Sequence, residues 1–362
     1  MKNVLAKTCI FTLLFQFLIM ISSAEAQDSK YLSNPEVLKI MEESKTLYRI
    51  GSTDELTDPS IDDYGKKMFP KLTNHLEFPK VVHGSDSSLY LKSFDFDSIA
   101  LATLAEGEPF FKIGNYDAAI KYYEKAYELS DSLYVAYLHA GDCHLMNKKF
   151  KKALKLYEKA KKINPFDYRP HFYCGTANYR MGNHEHALEN YIHAISLKPR
   201  HFSILLTLQA KADELGIDVN TETFEPKSYV EKTDSSVNIF IPSENGSIWL
   251  AYAAAKAIYL GEDDKRLDLF GIQGIGWNSE METQAIIGLM DLYLGLVESD
   301  KIERIEYLDR LYLITKEGYL DEFIFYEIAS KMNPDIVLQL PREIRDSIKE
   351  YVKKYVIVKR KG

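Results

Sequence analysis

The sequence predicts an all-α protein organised around a stack of helical hairpins, with a further helical region after it. Three observations predict this. Small, aromatic and proline residues recur with a 34-residue period between residues 100 and 201, and a period of that length is the signature of a solenoid. Gly-Asn pairs and prolines fall between the apolar runs, where helices must turn or stop. Beyond residue 247, apolar residues return at helical spacing.

The registers of the period can be read individually. Gly107, Gly141 and Gly175 share one; Ala119, Ala153 and Ala187 a second; Tyr123, Tyr157 and Tyr191 a third; Ala126, Ala160 and Ala194 a fourth. Pro165 and Pro199 share a fifth, where the first copy has Asp131. Each copy reads as two antiparallel helices whose backbones approach through the Gly of one and the Ala of the other. The tyrosine lies four residues after that Ala, on the same helical face, and fills the space beside the contact. Gly114-Asn115 and Gly182-Asn183 suit the turn within a hairpin, and Asn147-Lys148-Lys149 suits it less well. Pro109, inside the first helix of copy one, is expected to kink or shorten it.

These residues resemble the tetratricopeptide repeat in three consecutive copies, 100–133, 134–167 and 168–201, less than a third of the chain. The resemblance implies a helix-turn-helix solenoid and is nearly silent about function. It also implies that the first helix of each copy lines a concave surface. Here that surface carries Leu104, Phe111, Leu138, Leu145, Met146, Arg169, Phe172, Tyr179 and Arg180 as candidate partner-binding residues, with Leu101, Glu108, Lys112, Val135, Asp142 and Thr176 among them. So much contiguous apolar surface demands a cover, either a peptide or protein partner or the chain's own terminal segments. The Lys and Asn set with which some relatives clamp a C-terminal carboxylate is missing, although Arg169 and Arg180 suit an acidic partner. Residues 202 to 215, with Ile204, Leu205, Leu208 and Leu215 at helical spacing before Gly216, read as a closing helix.

The flanks complete the expected organisation. Lys2 and Lys7 precede an apolar stretch from Cys9 to Ile21 that ends in Ala24-Glu25-Ala26, so residues 1–26 read as a secretory signal peptide. Export follows, most plausibly to a periplasm, with no stable membrane insertion once the signal is cleaved. Residues 27–99 read as one helix, started at Ser33 or Asn34 with Pro35 in its first turn, then an irregular linker anchored by Tyr64, Phe69 and Phe78. Leu89-Tyr90-Leu91 suits a short strand. The repeats and closing helix span 100–216, a polar linker 217–246, and a helical C-terminal domain 247–362, where degenerate repeats and a separate domain fit equally well.

Chemistry finds little support. The chain carries a formal charge of −8, one unit more negative without the signal, which argues against a nucleic-acid partner. The basic group Lys353, Lys354, Lys359, Arg360 and Lys361 reads as a solvated tail. His184, His186 and His193 lack helical ligand spacing, and so do His139 and His144, so no metal or cofactor is expected. Gly271, Gly274 and Gly276 lack the Lys-Ser/Thr of a phosphate loop, and Glu262-Asp263-Asp264 starts no calcium loop. Cys143 and Cys174 fall on neighbouring helices and are expected to remain unpaired. The reading is an exported scaffold for a protein or peptide, in cell-envelope assembly or secretion by analogy. The alternative is a periplasmic hydrolase or carbohydrate-active enzyme with its site in the C-terminal domain; a structural subunit whose groove fills itself is a third.

Overall fold

The 34-residue period corresponds to a physical contact. A computed structural model describes residues 31–55, 76–85, 88–271 and 278–360, and in it each repeat is a helical hairpin: Ser98–Lys112 with Tyr116–Leu129, Tyr134–Met146 with Phe150–Ile163, and Tyr168–Arg180 with His184–Leu197. A β-carbon added at Gly107 would lie 2.5 Å from the ring of Tyr123, and one at Gly175 2.7 Å from that of Tyr191; Gly141 and Tyr157 stand equally close. The three tyrosines are fully buried. Glycine is therefore required where the ring crosses the opposite backbone, and the ring sets how closely the two helices pack.

The turns follow their residues. Gly114 and Gly182 adopt φ +78° and +76°, while Lys148, in the same register of copy two, adopts φ +56°, a left-handed conformation unfavourable to a residue with a side chain. Asp97 and Asn115 cap the two helices of copy one through the amides of Ala100 and Ala118, and Asp167 caps the first helix of copy three through that of Arg169. Pro109 does not shorten its helix: the helix ends at Lys112, the repeat position at which Met146 and Arg180 end theirs. The helix continues past it although the hydrogen bond that an N–H at this position would make is lost.

The chain forms two compact units, residues 73–223 with 325–362 and residues 1–72 with 224–324. In the repeat unit the closing segment breaks at Lys211 into Phe202–Ala210 and Ala212–Leu215 and ends on left-handed Gly216. Strand Ile217–Val219 then pairs antiparallel with Ile357–Lys359, and helix Arg342–Tyr351 packs on helix His184–Leu197. Two ion pairs hold the returning segment to the end of copy three, Arg200 with Glu327 and Lys198 with Asp335, and all four side chains are at most 15% exposed. Strands Pro79–His83 and Leu89–Ser93 form an antiparallel hairpin, and Leu89–Ser93 lies against Ile336–Gln339 of the returning segment.

The second unit surrounds helix Gly246–Gly261, in which every residue from Ile248 to Leu260 is buried. An all-round apolar helix belongs at the centre of a core. It lies against a three-stranded sheet ordered 47–52, 236–241, 229–232, the first pair parallel and the second antiparallel. On its other side is helix Ser279–Glu298. The N-terminal helix Asn34–Glu43, begun by a Ser33–Glu36 capping box, docks through Asn34 Nδ2 onto the Gly288 carbonyl at 2.9 Å. One buried ion pair, Lys256 with Glu282 at 3.1 Å, sits in this core with the Tyr252 hydroxyl donating to the same carboxylate at 3.0 Å.

The protein is thus mostly helical with a repeat solenoid, as its sequence predicts, but the expected boundaries need correcting. Residues 27–99, read as a helix and a linker with a short strand at 89–91, also hold strands Leu47–Ser52 and Pro79–His83, the linker 217–246 holds three strands, and the region read as one C-terminal domain is divided near residue 324. Strands of three to six residues whose partners lie far away in sequence leave no local periodic signature. The signal-peptide segment, Tyr64, Phe69, Gly274 and Gly276 lie outside the described residues.

Two substitutions test the repeat geometry. Gly141→Ala should lower unfolding stability by roughly 1–3 kcal/mol, because the β-carbon meets a packed ring. Lys148→Gly should raise it by up to about 1 kcal/mol by relieving the left-handed turn. Urea unfolding reads both, and an unshifted midpoint for Gly141→Ala would remove the packing argument.

Candidate functional site

The candidate inner face takes its residues from the first helix of each copy. Leu104, Leu138 and Phe172 share one repeat position, and the period carries it on to Leu206 in the closing helix. Leu138 is buried, Leu104 and Phe172 are half-buried, and Leu206 is 51% exposed. Phe111 is half-buried and meets Tyr116 edge-on with ring centroids 5.5 Å apart; Leu145 is also half-buried. Met146 is 54% exposed and Arg180 is exposed. Tyr179 stacks on His184 and lies beneath the Lys211 ammonium, 4.7 Å from its ring centroid.

One helical turn further along each first helix runs a polar row. The hydroxyls of the three packing tyrosines donate to it: Tyr123 to Glu108 at 3.0 Å, Tyr157 to Asp142 at 2.7 Å, and Tyr191 to Thr176 at 3.2 Å. The constant separation of 15 residues marks this as a second repeat interaction. Glu108 also contacts His139 Nδ1 at 2.8 Å, with the two side chains 32% and 37% exposed. Burial holds His139 below the usual histidine range, so at neutral pH this contact is a hydrogen bond rather than an ion pair. Asp142 is pushed up to about 7, first by burial and then by the Glu108 charge, against the lowering effect of the Tyr157 hydroxyl.

Arg169, read from sequence as a site for an acidic partner, is engaged within its own unit. Its Nε lies 3.0 Å from both oxygens of Asp167, one Nη contacts the same carboxylate, and that Nη donates to the Glu77 carbonyl at 3.0 Å. The guanidinium also covers the Phe78 ring at 4.7 Å. Phe78, Phe94 and Phe96, from the segment that carries the 79–93 hairpin, pack against Tyr134 with centroids 5.2 to 6.5 Å apart. The chain itself therefore covers the Tyr134–Arg169 end of the inner face, while Glu108, Asp142, Met146 and Leu206 remain accessible in part or in full. Sequence reasoning placed Glu108, Asp142 and Thr176 on this face but missed their tyrosine partners and His139; the fixed 15-residue offset was the available signal.

The remaining reactive groups have structural surroundings. Cys143 and Cys174 are buried free thiols, and burial pushes Cys143 up to about 12. His193 packs on His171 with ring centroids 4.0 Å apart. Among the described residues no three His, Cys, Asp or Glu side chains converge as metal ligands, and no described helix is long and apolar enough to cross a membrane.

The family profile described as "Anaphase-promoting complex, cyclosome, subunit 3" matches residues 112–194. No curated protein matches the chain by sequence. Among solved structures, the chain is similar to the first tetratricopeptide domain of Spaghetti (RPAP3) bound to an HSP90 peptide, with 26% identity over 33% of this chain and 96% of that one, TM-score 0.32. The first tetratricopeptide domain of human RPAP3 matches at 25% identity over 32% and 91%, TM-score 0.31. MamA of Desulfovibrio magneticus matches at 22% over 32% and 65%, TM-score 0.30. The repeats are of the tetratricopeptide type.

The titrations have opposite signs and can be separated. Burial pushes His171 down to about 4 and His193 down to about 2, with Lys161 pressing on both, Lys349 on His193, and Asp167, Glu158 and the Pro165 carbonyl opposing at His171. The folded pair stays neutral while the unfolded chain takes up protons below about pH 6.5, so this pair loses stability as pH falls from 7 towards 4. Asp142 behaves oppositely: the fold keeps its proton above the unfolded value, so its contribution declines as pH rises from about 4 to 7. Melting temperatures across pH 4 to 8 should show a shallower acid limb for His193→Gln, and a gain for Asp142→Asn at pH 8 that vanishes near pH 4. The reverse pattern would refute these assignments.

Proposed function

We propose that the chain is an exported scaffold that holds a peptide or protein segment against the inner face of its repeat stack, in cell-envelope assembly or secretion. The observation that carries this reading is the partly open track from Glu108 and Asp142 to Met146 and Leu206. Apolar side chains occupy one repeat position, hydrogen-bonding groups occupy the next turn, and the chain covers one end itself. An extended segment laid across the first helices meets one apolar and one polar contact per repeat, the arrangement that gives a linear peptide both affinity and register. The apolar stretch with its Ala-Glu-Ala ending supports export.

The test changes Phe172 and Tyr179 to Ala and compares capture of partners from an envelope extract. Loss of bound species with an unchanged melting temperature supports the groove; a fall of many degrees with binding retained would identify these residues as interior packing and refute it. Residues 1–26 fused to a reporter active only outside the cytoplasm should export it, and retention inside the cell would remove the localisation.

A further inference from the structure

We propose that the segment bound in this groove is basic: an apolar side chain seats on the Leu104–Leu138–Phe172–Leu206 track, and an adjacent lysine or arginine reaches the carboxylates of Asp142 and Glu108. The inference rests on the groove reading above and adds the chemistry of the ligand.

Three observations lead to it. First, the fold demands an acceptor for each packing tyrosine but not a charged one, because Thr176 accepts from Tyr191 in copy three as Asp142 and Glu108 accept from Tyr157 and Tyr123. Burial disfavours the carboxylate of Asp142, so its presence there is not explained by packing. Second, the groups that touch these carboxylates leave negative charge unbalanced. Glu108 accepts from the Tyr123 hydroxyl and lies against His139, which burial keeps neutral at pH 7. Asp142 uses one oxygen for Tyr157, and its other oxygen accepts no hydrogen bond from any described residue. Third, Arg169, the first-helix cation in copy three's second position, is already paired with Asp167, while the exposed cations Lys112 and Arg180 stand at the Met146 position, one turn beyond the acceptor row.

Charge complementarity therefore favours a cation in the middle of the groove, flanked by apolar contacts. An acidic segment would place its charge against two carboxylates with Arg169 already engaged. A guanidinium or ammonium that reaches Asp142 also stabilises its ionised form, so binding releases a proton and tightens as pH rises through 7.

The experiment pans a random dodecapeptide library on the full chain and measures the enriched peptides by fluorescence anisotropy. Enrichment of Lys or Arg next to Leu, Ile or Phe is expected, with affinity reduced about tenfold or more by Asp142→Asn and by Glu108→Gln. Both variants keep an acceptor for their tyrosine, and Asp142→Asn should be no less stable than the parent. Peptides without basic residues, or basic peptides indifferent to both variants, overturn the proposal. If such peptides still lose affinity with Phe172→Ala, the groove stands and only its charge preference falls; if Phe172→Ala is also without effect, both fall.

Discussion

The contact between a glycine backbone and a tyrosine ring, repeated in three copies, is the constraint on which the repeat unit depends. A ring that close to the opposing helix tolerates no β-carbon, and it fixes the separation within each hairpin. Once that separation is set, the alanines of the second helices can pack fully buried, and successive hairpins stack with their first helices on one side. The ring also carries a hydroxyl that must not be left unsatisfied. Because the ring is held rigidly, its hydroxyl always arrives at the same place on the partner helix, one turn along from the apolar row. A packing rule thereby dictates a row of hydrogen-bond acceptors on the surface where a partner would lie.

The ends of the stack show the second demand of a repeat array, which is closure. A terminal repeat exposes a face that would otherwise be buried by the next one. Helix Arg342–Tyr351 covers the last helix of copy three, and buried ion pairs from Lys198 and Arg200 hold the returning segment beside the closing helix. Such pairs contribute modest net stability but specify geometry, since a misplaced segment would leave a buried charge unpaired. The segment that carries the 79–93 hairpin packs within the array instead, with three phenylalanines on Tyr134 of copy two and Phe78 under the guanidinium of Arg169 of copy three.

What the sequence revealed divides along physical lines. The hairpins and their turns were legible because each depends on residues within one 34-residue period. The buried helix Gly246–Gly261 was legible as an apolar run. The parallel pairing of Leu47–Ser52 with Ser236–Ile241 was not, since its two strands are almost two hundred residues apart and neither alternates clearly. Nor was the return of the C-terminal segment, a consequence of tertiary charge pairing. Lys256 and Glu282, in runs that read simply as helical, gave no sign of being partners. The occupation of Arg169 was hidden because nothing in the 34-residue pattern marks Asp167 or the Glu77 carbonyl as its partners.

The polar row separates what folding requires from what it leaves free. Folding requires an acceptor opposite each tyrosine, and threonine meets the requirement in copy three. It does not require a carboxylate whose ionisation burial resists, as it does at Asp142. Natural sequences depart from the most stable choice chiefly where another demand acts. The departure here faces the open part of the groove, lies beside an apolar track, and is not matched by a cation from its own surroundings. If the proposed basic segment binds there, stability and recognition make opposing demands on one side chain, and Asp142 is the residue at which the two can be measured against each other.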